Sequence, residues 1–377
     1  MSNLRIQLAE SLDALSPSAR ALWQREEPRL QFDQTLGWNE LLARHALEPD
    51  ERIHIVSAHG PADECLGLLP LKIGAPEGPW RLRTIRSLAN YYCSLYEPII
   101  DSSAGRPIVL RSLLEAIEQL DCDALDLNPL ADSTDAAGGV IDALQSLGWR
   151  TERYFRFGNW YLEVNGRAFA EYFGALASQV RNTVTRKEKK LRQQAGLEIS
   201  IAQTPAEAEA ALAGYQKIYA ASWKRPEPHP EFVPGLVRLL AVRGWLRMGL
   251  VQLAGEPIAS QIWSCKDGVV SIFKLAYDER FAQLSAGSVL TAQLMRHVLD
   301  VDRASLVDYL TGDDAYKRDW MSHRRERVGV RALRATRWRA RAQVMSNAVA
   351  AALKAARRTV SSHWHALRRR PPTTPNA

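Results

Sequence analysis

The chain has 377 residues, 46% of them hydrophobic, which is more than one hydrophobic core usually supports, so we expect two domains. No apolar run approaches transmembrane length and the N-terminus lacks an apolar signal segment, which predicts a cytoplasmic protein. The four cysteines lie far apart without a CxxC pair, which excludes a disulfide framework and a zinc site, and no metal is expected.

The positive charge is concentrated at the C-terminal end. Residues 327–377 hold 12 of the 49 Lys and Arg and no acid, which leaves 37 basic against 42 acidic residues before them. An acidic body with a basic tail is typical of a protein whose tail meets an anionic surface, such as the inner face of a membrane, RNA or an acidic partner. It is not typical of a protein whose whole surface follows DNA, and no DNA partner is expected.

The first half predicts alternating strands and helices. Two apolar runs around a Gly-Pro-Ala-Asp break predict a hairpin between Arg52 and Lys72. Helical spacing of apolar residues then predicts a helix over Pro107–Leu120, followed by a strand at ALDLNPL. A second helix over Gly139–Leu147 and a strand over Tyr154–Val164 complete a mixed α/β layer.

The second half repeats this order. Its clearest part is a three-strand antiparallel meander, LRMGLVQLA, PIASQIWSC and VVSIFKLAY, separated by Gly-Glu and Lys-Asp-Gly turns. The other predicted elements are a helix over Ala168–Gln194, the strand LEISIAQ, a helix capped by Thr204, a helix reaching Val301, the strand SLVDYL and a final helix opened by GDDAYKRDWMSH. The repeated order suggests a duplication, and two unrelated α/β lobes are the alternative.

Three stretches carry a family resemblance. They are RNTVTRKEKKLR before Gly196, AYDERFAQLSAGSVL and VDYLTGDDAYKRDW, which together span about Tyr172–Arg331. In order and spacing this region resembles the acetyltransferase-like domain of FemAB-like and CelD-like proteins in the GNAT superfamily, and the first half resembles their degenerate N-terminal lobe in element order alone. The resemblance implies two tandem GNAT-like mixed-sheet α/β domains at 1–165 and 166–332, with a basic helical or partly disordered tail at 333–377.

The resemblance also implies a place for the acyl donor. GNAT enzymes usually carry an Arg/Gln-x-x-Gly-x-Gly/Ala loop whose backbone amides bind the pyrophosphate of coenzyme A at a helix N-terminus. The matching residues are Gln283, Ser285, Ala286, Gly287 and Ser288, with Ala and Ser where the pattern has glycines. The same run also reads as a simple helix start in which Ser285 or Ser288 is the N-cap.

Acyl transfer needs an acid or base and a donor for the oxyanion. The end of the strand SLVDYL brings Asp308, Asp313, Tyr316 and Lys317 to one rim. The carboxylates are candidates to orient or deprotonate an amine, Tyr316 to protonate the leaving thiolate, and Lys317 to hold a phosphate or polarise a carbonyl. Alternatively, Asp313 caps the final helix, and Tyr316 and Lys317 pack on its side.

Three further residues are candidates for substrate contact. Trp263 and Ser260 lie on the middle strand of the meander and are candidates to face a groove between the lobes, although most tryptophans in such positions are core residues. Arg181 begins the basic run that ends at Arg192, a candidate anion-binding helix whose alternative is a solvated face. The cationic, partly apolar pattern over Leu333–Arg370 suits an interfacial membrane helix as well as a solvated tail.

The function that the resemblance implies is transfer of an acyl group from acyl-CoA or acetyl-CoA to an amine. The acceptor is expected to be a small-molecule or lipid-linked precursor of envelope or polysaccharide. Two alternatives stay open: a FemAB-like transferase that uses aminoacyl-tRNA, and a non-catalytic accessory protein of polysaccharide synthesis. The absence of GxSxG, P-loop, HExxH and GxGxxG motifs excludes the common hydrolase, NTPase, zinc-protease and dehydrogenase classes.

Overall fold

The computed structural model describes residues 4–222 and 224–350. The first half contains β1 (Arg5–Ala9), α1 (Pro17–Glu26), α2 (Leu36–His45), β2 (Arg52–His59), β3 (Cys65–Ile73), β4 (Thr84–Ser87), β5 (Ile99–Ile100), α3 (Arg106–Ala116), β6 (Ala124–Ala131), α4 (Gly139–Ser146) and β7 (Arg150–Glu163). The second half contains α5 (Phe169–Ala175), α6 (Ser178–Arg192), β8 (Leu197–Ala202), α7 (Pro205–Ala220), α8 (Phe232–Val242), β9 (Leu246–Leu253), β10 (Glu256–Lys266), β11 (Val269–Tyr277), α9 (Ala286–Asp300), β12 (Leu306–Asp308), α10 (Ala315–Arg318) and β13 (His323–Leu333).

The described strands join into one 13-stranded sheet in the order β1-β2-β3-β4-β6-β13-β7-β12-β11-β10-β9-β8, with β5 paired to β3. Apart from the short β5 in the first half and from α5 and α6 at the start of the second, each half runs as one strand, two helices, three antiparallel strands, a helix, a strand, a helix and a last strand. In both halves the antiparallel run ends in a parallel step, β4 beside β6 and β11 beside β12. The predicted α/β fold of two tandem mixed-sheet halves is therefore confirmed.

The two halves exchange their last strands. Residues 327–333 of β13 pair with β6 on one side and with β7 on the other, so the second half supplies a strand to the sheet of the first. Residues 161–163 of β7 pair with β12, so the first half in turn supplies a strand to the second. Val328, Val330 and Ala332 of β13 are buried among the core residues of the first half. Because apolar burial is the main stabilising term, the exchange ties the two halves together.

A shared hydrophobic core lies between the halves on one side of the sheet. Trp38 of α2 packs edge-on against Phe232 of α8, with ring centroids 5.1 Å apart, and Phe273 of β11 packs against both Trp38 and Phe32. Such aromatic pairs contribute about 1 kcal/mol beyond the area that they bury. This core holds α7 and α8 against α1 and α2 and fixes the loop between α7 and α8 next to the sheet.

Several predicted elements are correct in kind. The hairpin, the meander and the helix after Thr204 are all present. Thr204 and Glu207 form a capping box, an arrangement in which a Thr cap typically contributes about 1 kcal/mol. Within the described residues, no helix is both long and apolar enough to cross a membrane.

Other predictions of local structure were wrong. The predicted final helix is only the single turn α10, and the strand β13 follows it. The helix predicted over Ala168–Gln194 is broken because Leu176 and Ala177 have extended backbone. Leu333, which we assigned to the tail, ends β13, and residues 338–350 are helical. The rest of the predicted tail, residues 351–377, lies outside the described residues.

Candidate active site

A cleft opens where two parallel strands separate. β11 and β12 pair only from Val269 to Ser271 and from Leu306 to Asp308. β12 then ends, and Leu310 has a left-handed backbone with φ of 55°, while β11 continues to Tyr277. Side chains of the two diverging segments line two adjoining cavities, a large one of about 570 Å³ and a small one of about 220 Å³. The two cavities share the residues Leu275, Tyr309 and Tyr316.

The large cavity reaches the N-terminus of α9. Gly287 and Ser288, in the first turn of this helix, line the cavity, and Gln261 of β10 donates to the backbone oxygen of Gly287 at 2.9 Å. Ser285 occupies the N-cap position with φ of 53°, and no side chain caps the helix. The amide of Ser288 already donates to the backbone oxygen of Ser285 at 3.1 Å, whereas the amides of Ala286 and Gly287 keep their hydrogen-bonding capacity, and the helix dipole adds positive potential at the same point. Phosphate is the type of ligand that such a helix end binds.

The basic helix α6 forms another wall of the large cavity. Gln179, Val180 and Thr183 of α6 line it, and Lys187 donates to the backbone oxygen of Gln283 at 2.7 Å. The backbone oxygen of Gln283 thus accepts a hydrogen bond next to the start of α9. Ala286, the first residue of this helix, is buried, with 3% of its surface exposed. Arg181 instead donates to the backbone oxygens of Gly174 and Leu176, so its guanidinium ties α6 to the preceding turn.

A β-bulge lies on β11 inside the cleft. The register runs from Ile262 opposite Lys274 to Trp263 opposite Ile272, so Phe273 is the extra residue on β11. A bulged residue is left out of the ladder, which frees backbone polar groups and turns the neighbouring side chains. Phe273 lines the small cavity, so a backbone amide at this position is suited to meet a developing oxyanion in the cleft.

The small cavity is rich in lysine and tyrosine. Its lining includes Lys224, Lys274, Lys317, Tyr91, Tyr92, Tyr309 and Tyr316. Lys274 forms an ion pair with Glu227 over 2.6 Å, and the hydroxyl of Tyr92 donates to the same carboxylate at 2.7 Å. Burial favours a higher pKa for Glu227, but the hydrogen bonds from Lys274 and Tyr92 hold its pKa below the usual value. Glu227 therefore carries a negative charge at neutral pH.

The other two lysines differ in how they are held. Lys317 is 5% exposed, donates to the backbone oxygen of Thr311 and lies 3.3 Å from Asp314. Burial lowers the pKa of Lys317, although Asp314 opposes this. Burial, assisted by repulsion from Lys274 and Lys317, lowers the pKa of Lys224 to about 8. Tyr316 lines both cavities, and burial raises the pKa of its phenol to about 12, so the hydroxyl stays protonated at physiological pH.

Asp308 lies beneath the cleft rather than in either cavity. Its carboxylate is 1% exposed, accepts from the backbone amide of Leu310 at 2.6 Å and is ion-paired with Arg325. Asp313 lies on the surface, where it accepts hydrogen bonds from Arg324 and from the indole of Trp160. The N-cap position of α10 is Asp314, so Asp313 does not cap that turn. Among the rim residues predicted from the sequence, the structure thus brings Tyr316 and Lys317 into the cleft.

Trp263 and Ser260 are core residues. Both are completely buried, and neither lines the large or the small cavity. The indole of Trp263 donates to the side chain of Gln261 at 2.9 Å, and Ser260 donates to the backbone oxygen of Gly249 at the same distance. Within residues 4–222 and 224–350, no group of three or more His, Cys, Asp and Glu is placed to hold a metal ion.

The equivalent opening in the first half is closed by the chain itself. Tyr96 inserts beside β6, where its backbone amide donates to Pro129 at 2.6 Å and its hydroxyl donates to Pro70 at 2.8 Å. Only about 20 Å³ of cavity remains there. In the loop before α3, which begins at Arg106, the carboxylate of Glu26 accepts from the amide of Ser102 at 3.2 Å. The opening in the first half is therefore much smaller than the cleft in the second half.

Sequence reasoning missed three charged residues of the small cavity and its wall. Lys224 and Glu227 lie in the loop that follows α7, which has no recognisable motif. Lys274 had a usable signal, because it interrupts the apolar strand VVSIFKLAY, and a lysine in a buried strand requires a partner.

Known proteins resemble this chain mainly in fold. Residues 178–318 match the family model described as an acetyltransferase (GNAT) domain. The crystal structure of FemX superposes with a TM-score of 0.58 at 11% identity, covering 87% of this chain and 96% of FemX. The C-terminal domain of a putative lysylphosphatidylglycerol synthetase from Agrobacterium fabrum gives 0.53 at 9% identity, covering 87% and 95%. No curated protein matches by sequence. Residues 178–318 are thus similar to a GNAT acetyltransferase domain, and the chain as a whole shares its fold with these two structures.

Proposed function

We propose that the protein is an N-acyltransferase that moves an acyl group from an acyl-CoA thioester to an amine. The observation that carries the proposal is a pair of adjoining cavities that lead from the uncapped start of α9 to the bulge at Phe273. A helix N-terminus suits the pyrophosphate of coenzyme A, and a bulge amide suits the thioester oxygen. The GNAT domain match over residues 178–318 supports the same reaction class.

In this proposal, the donor lies in the large cavity and the acceptor enters through the small one. The amides of Ala286 and Gly287 bind the pyrophosphate, with Gln283, Ser285 and Ser288 shaping the turn. The amine nitrogen attacks the thioester carbon, a C–N bond forms and the C–S bond breaks. Tyr316, at the junction of the cavities, gives its proton to the leaving thiolate. The proton released by the new amide nitrogen passes to solvent.

Lys317 and Asp308 support the reaction in different ways. Lys317, whose Nζ lies 5.7 Å from the ring centroid of Tyr309 at the junction, is assigned to polarise the acyl carbonyl, while Asp308 acts as a positioning residue that fixes the end of β12. We assign the acceptor to small-molecule or lipid-linked precursors of envelope or polysaccharide, and the chain to the FemAB-like and CelD-like type. The fold shared with FemX and with the lysylphosphatidylglycerol synthetase domain is consistent with this assignment. We further propose a cytoplasmic location with the basic tail at the inner membrane face, which the charge distribution supports.

A matched pair of variants at Gly287 tests donor binding. A Cβ at this position would lie 3.8 Å from the nearest atom, on Tyr277, so Gly287→Ala introduces no clash and Gly287→Asp starts from the same uncrowded Cβ. An acid in the first turn suits the helix dipole but repels phosphate. Acetyl-CoA at about 100 times its dissociation constant should raise the Tm of the wild type and of Gly287→Ala by about 3 °C, and that of Gly287→Asp by much less.

A second donor class is favoured by α6. Its exposed Lys189, Lys190 and Arg192 follow Lys187, which contacts the start of α9, so a polyanion at this end would meet several cations. If no acyl-CoA shifts the Tm, binding of aminoacyl-tRNA with a steep dependence on salt would favour the FemAB-like alternative. If neither donor binds, the remaining hypothesis is that the protein is a non-catalytic accessory protein of polysaccharide synthesis.

A further inference from the structure

One side of the helix over residues 338–350 is fixed to the body of the protein. Ala340 is completely buried in a small cluster with Ala124 of β6 and Leu333 of β13. Val344, about one turn further along the helix, packs against the same cluster. Because residues one turn apart lie on one face, this side of the helix is turned inward and the opposite side outward.

The outward side carries a row of large apolar side chains. Trp338, Met345 and Val349 are 65%, 69% and 58% exposed. Met345 follows Trp338 after about two helical turns and Val349 follows after about one more, so the three residues lie on one face. We call these three residues the outer stripe. Single exposed apolar residues are common on protein surfaces, but an aligned row indicates a contact surface.

The outer stripe belongs to a strongly basic segment. Residues 334–377 contain ten Lys or Arg and no Asp or Glu. In the helix itself, Arg341 is exposed, and its Nε donates to the backbone oxygen of Ala335 at 2.7 Å. Within the described part of the chain, no carboxylate pairs with Arg341, so its charge faces the solvent.

Two acids of the body lie beside this segment. Asp121 is 3.3 Å from Arg337, and Asp123 is 3.8 Å from Arg339. Asp121 is also paired with Arg83, so these three arginines share two carboxylates. The acids thus offset only part of the charge next to the helix, and the surroundings of the outer stripe keep a net positive charge.

A second exposed tryptophan lies in the turn before β4. Leu82 packs against the cluster that holds Ala340, and Trp80, which is 38% exposed, lies in the same turn. Trp80 and Trp338 are therefore exposed on two segments that meet at one small cluster. A tryptophan ring is apolar but carries one N–H donor, and such side chains are enriched at the boundary between membrane and water.

We propose that the outer stripe binds an anionic lipid bilayer, with helix 338–350 lying parallel to the membrane surface. An apolar face with basic residues beside it is typical of a helix that lies in the membrane interface. The outer stripe enters the boundary between head groups and acyl chains, and the arginines meet lipid phosphates. This inference rests on the membrane location proposed above and names the residues that make the contact, and it does not depend on acyl transfer.

The width of the outer stripe favours a membrane over a protein partner. A stable protein–protein interface typically buries about 800 Å² on each partner, which three side chains in a single row cannot supply. A bilayer accepts a single row, because its head groups and acyl chains rearrange around each side chain. The positive charge of the segment also complements anionic lipid.

Binding of the full chain to vesicles tests the proposal. The partition coefficient, measured by flotation, should be at least tenfold higher for vesicles of equal parts phosphatidylglycerol and phosphatidylcholine than for phosphatidylcholine alone. Combined replacement of the outer stripe by serine, as Trp338→Ser, Met345→Ser and Val349→Ser, should lower the partition coefficient for the anionic vesicles at least tenfold. Because all three side chains are exposed, the Tm of this variant should not change measurably.

A matched variant controls for the loss of exposed apolar surface in general. Ile108, Val242 and Val301 are 60%, 74% and 66% exposed, in α3, at the end of α8 and directly after α9. Their combined replacement by serine should leave vesicle binding unchanged. Arg341→Gln, which removes a charge and keeps the outer stripe, should lower the preference for anionic over neutral vesicles at least twofold.

Tryptophan fluorescence locates the contact. Lipids with brominated acyl chains quench tryptophans that enter the bilayer. Quenching of the bound protein should therefore be smaller in Trp338→Phe, which keeps an aromatic ring and should keep the affinity. Equal quenching of the wild type and of Trp338→Phe would show that Trp338 stays outside the bilayer and would overturn the proposal.

Three further outcomes count against the outer stripe and differ in what else they affect. Equal binding of the serine variant and the wild type would overturn the proposal and leave the membrane location to the basic residues alone. No binding of the wild type to any vesicle would overturn both the proposal and the membrane location, while donor binding still tests acyl transfer separately. A dimer that light scattering detects in the wild type but not in the serine variant, without vesicle binding, would assign the outer stripe to contact between copies of the chain.

Discussion

The side-chain amide of Asn159 donates a hydrogen bond to Oδ1 of Asp308 at 2.5 Å. The same amide donates to the backbone oxygen of Leu310 at 2.7 Å, and Nε of Arg325 donates to the amide oxygen of Asn159 at 2.6 Å. Asn159 lies on β7, Asp308 ends β12 and Arg325 lies on β13, so this cluster joins the exchanged strands directly below the cleft. The cluster fixes the end of β12, where the chain leaves the sheet. The next residue, Tyr309, lies in the wall of both cavities.

Asp308→Asn should therefore reduce stability. It leaves the guanidinium of Arg325 without its carboxylate, and we expect a loss of about 2–3 kcal/mol, below the usual value for a fully buried pair because the Arg325 side chain keeps 31% exposure. Denaturant unfolding measures the loss. Asp313→Asn is the control and should cost less than about 1 kcal/mol, since both side chains of its ion pair are partly exposed. Full stability of Asp308→Asn with loss of transfer would instead indicate a direct chemical role.

Tyr316→Phe should slow the transfer without weakening donor binding. If the phenol protonates the thiolate, removal of its hydroxyl should lower kcat by about 100-fold and leave the Kd for acetyl-CoA within twofold of the wild type. Because burial raises the pKa of Tyr316 to about 12, this group should cause no fall in kcat between pH 7 and 10. Stopped-flow thiol release and calorimetry separate the two quantities, and an unchanged kcat would exclude the role.

Donor binding should show one site per chain. In the first half, the inserted Tyr96 closes the opening between β4 and β6, and Glu26 accepts from the amide of Ser102 in the loop before α3. Titration calorimetry with acetyl-CoA should give a stoichiometry of one, and Gly287→Asp should abolish it altogether. A residual site with the same affinity in Gly287→Asp would show that the first half also binds the donor.

The fold was largely predictable because its elements follow local rules. The meander from Leu246 to Tyr277 has turn residues at the right spacing, and Thr204 with Glu207 marks a helix start. The strand β13 was missed, although Val328, Val330 and Ala332 alternate with polar or small residues in the period of a strand. The Gly-Asp-Asp run before Ala315 resembles a helix start and does produce one turn, so the local signal was real but short.

The site was only partly predictable because its charges come from distant segments. Gly287 and Ser288 were expected at the cleft from the resemblance to the GNAT phosphate-binding loop, and Tyr316 was expected there because it follows the strand SLVDYL. The ion pair between Glu227 and Lys274 joins a loop to a strand 47 positions away, and no local pattern connects them. The carboxylate of Asp308 looked chemically available in the sequence, yet folding places it under the cleft, since burial of one strand end depends on its neighbours in the sheet.

The strand exchange also determines when the protein can fold during synthesis. The gap between β6 and β7 stays open until residues 327–333 have left the ribosome, although β7 itself ends at Glu163. At typical elongation rates this interval lasts on the order of ten seconds or more, during which two unpaired strand edges are exposed to other nascent chains. N-terminal domains usually finish folding first, whereas here the first half is among the last parts to be completed. Translation speed across the second half therefore bears directly on the yield of the whole protein.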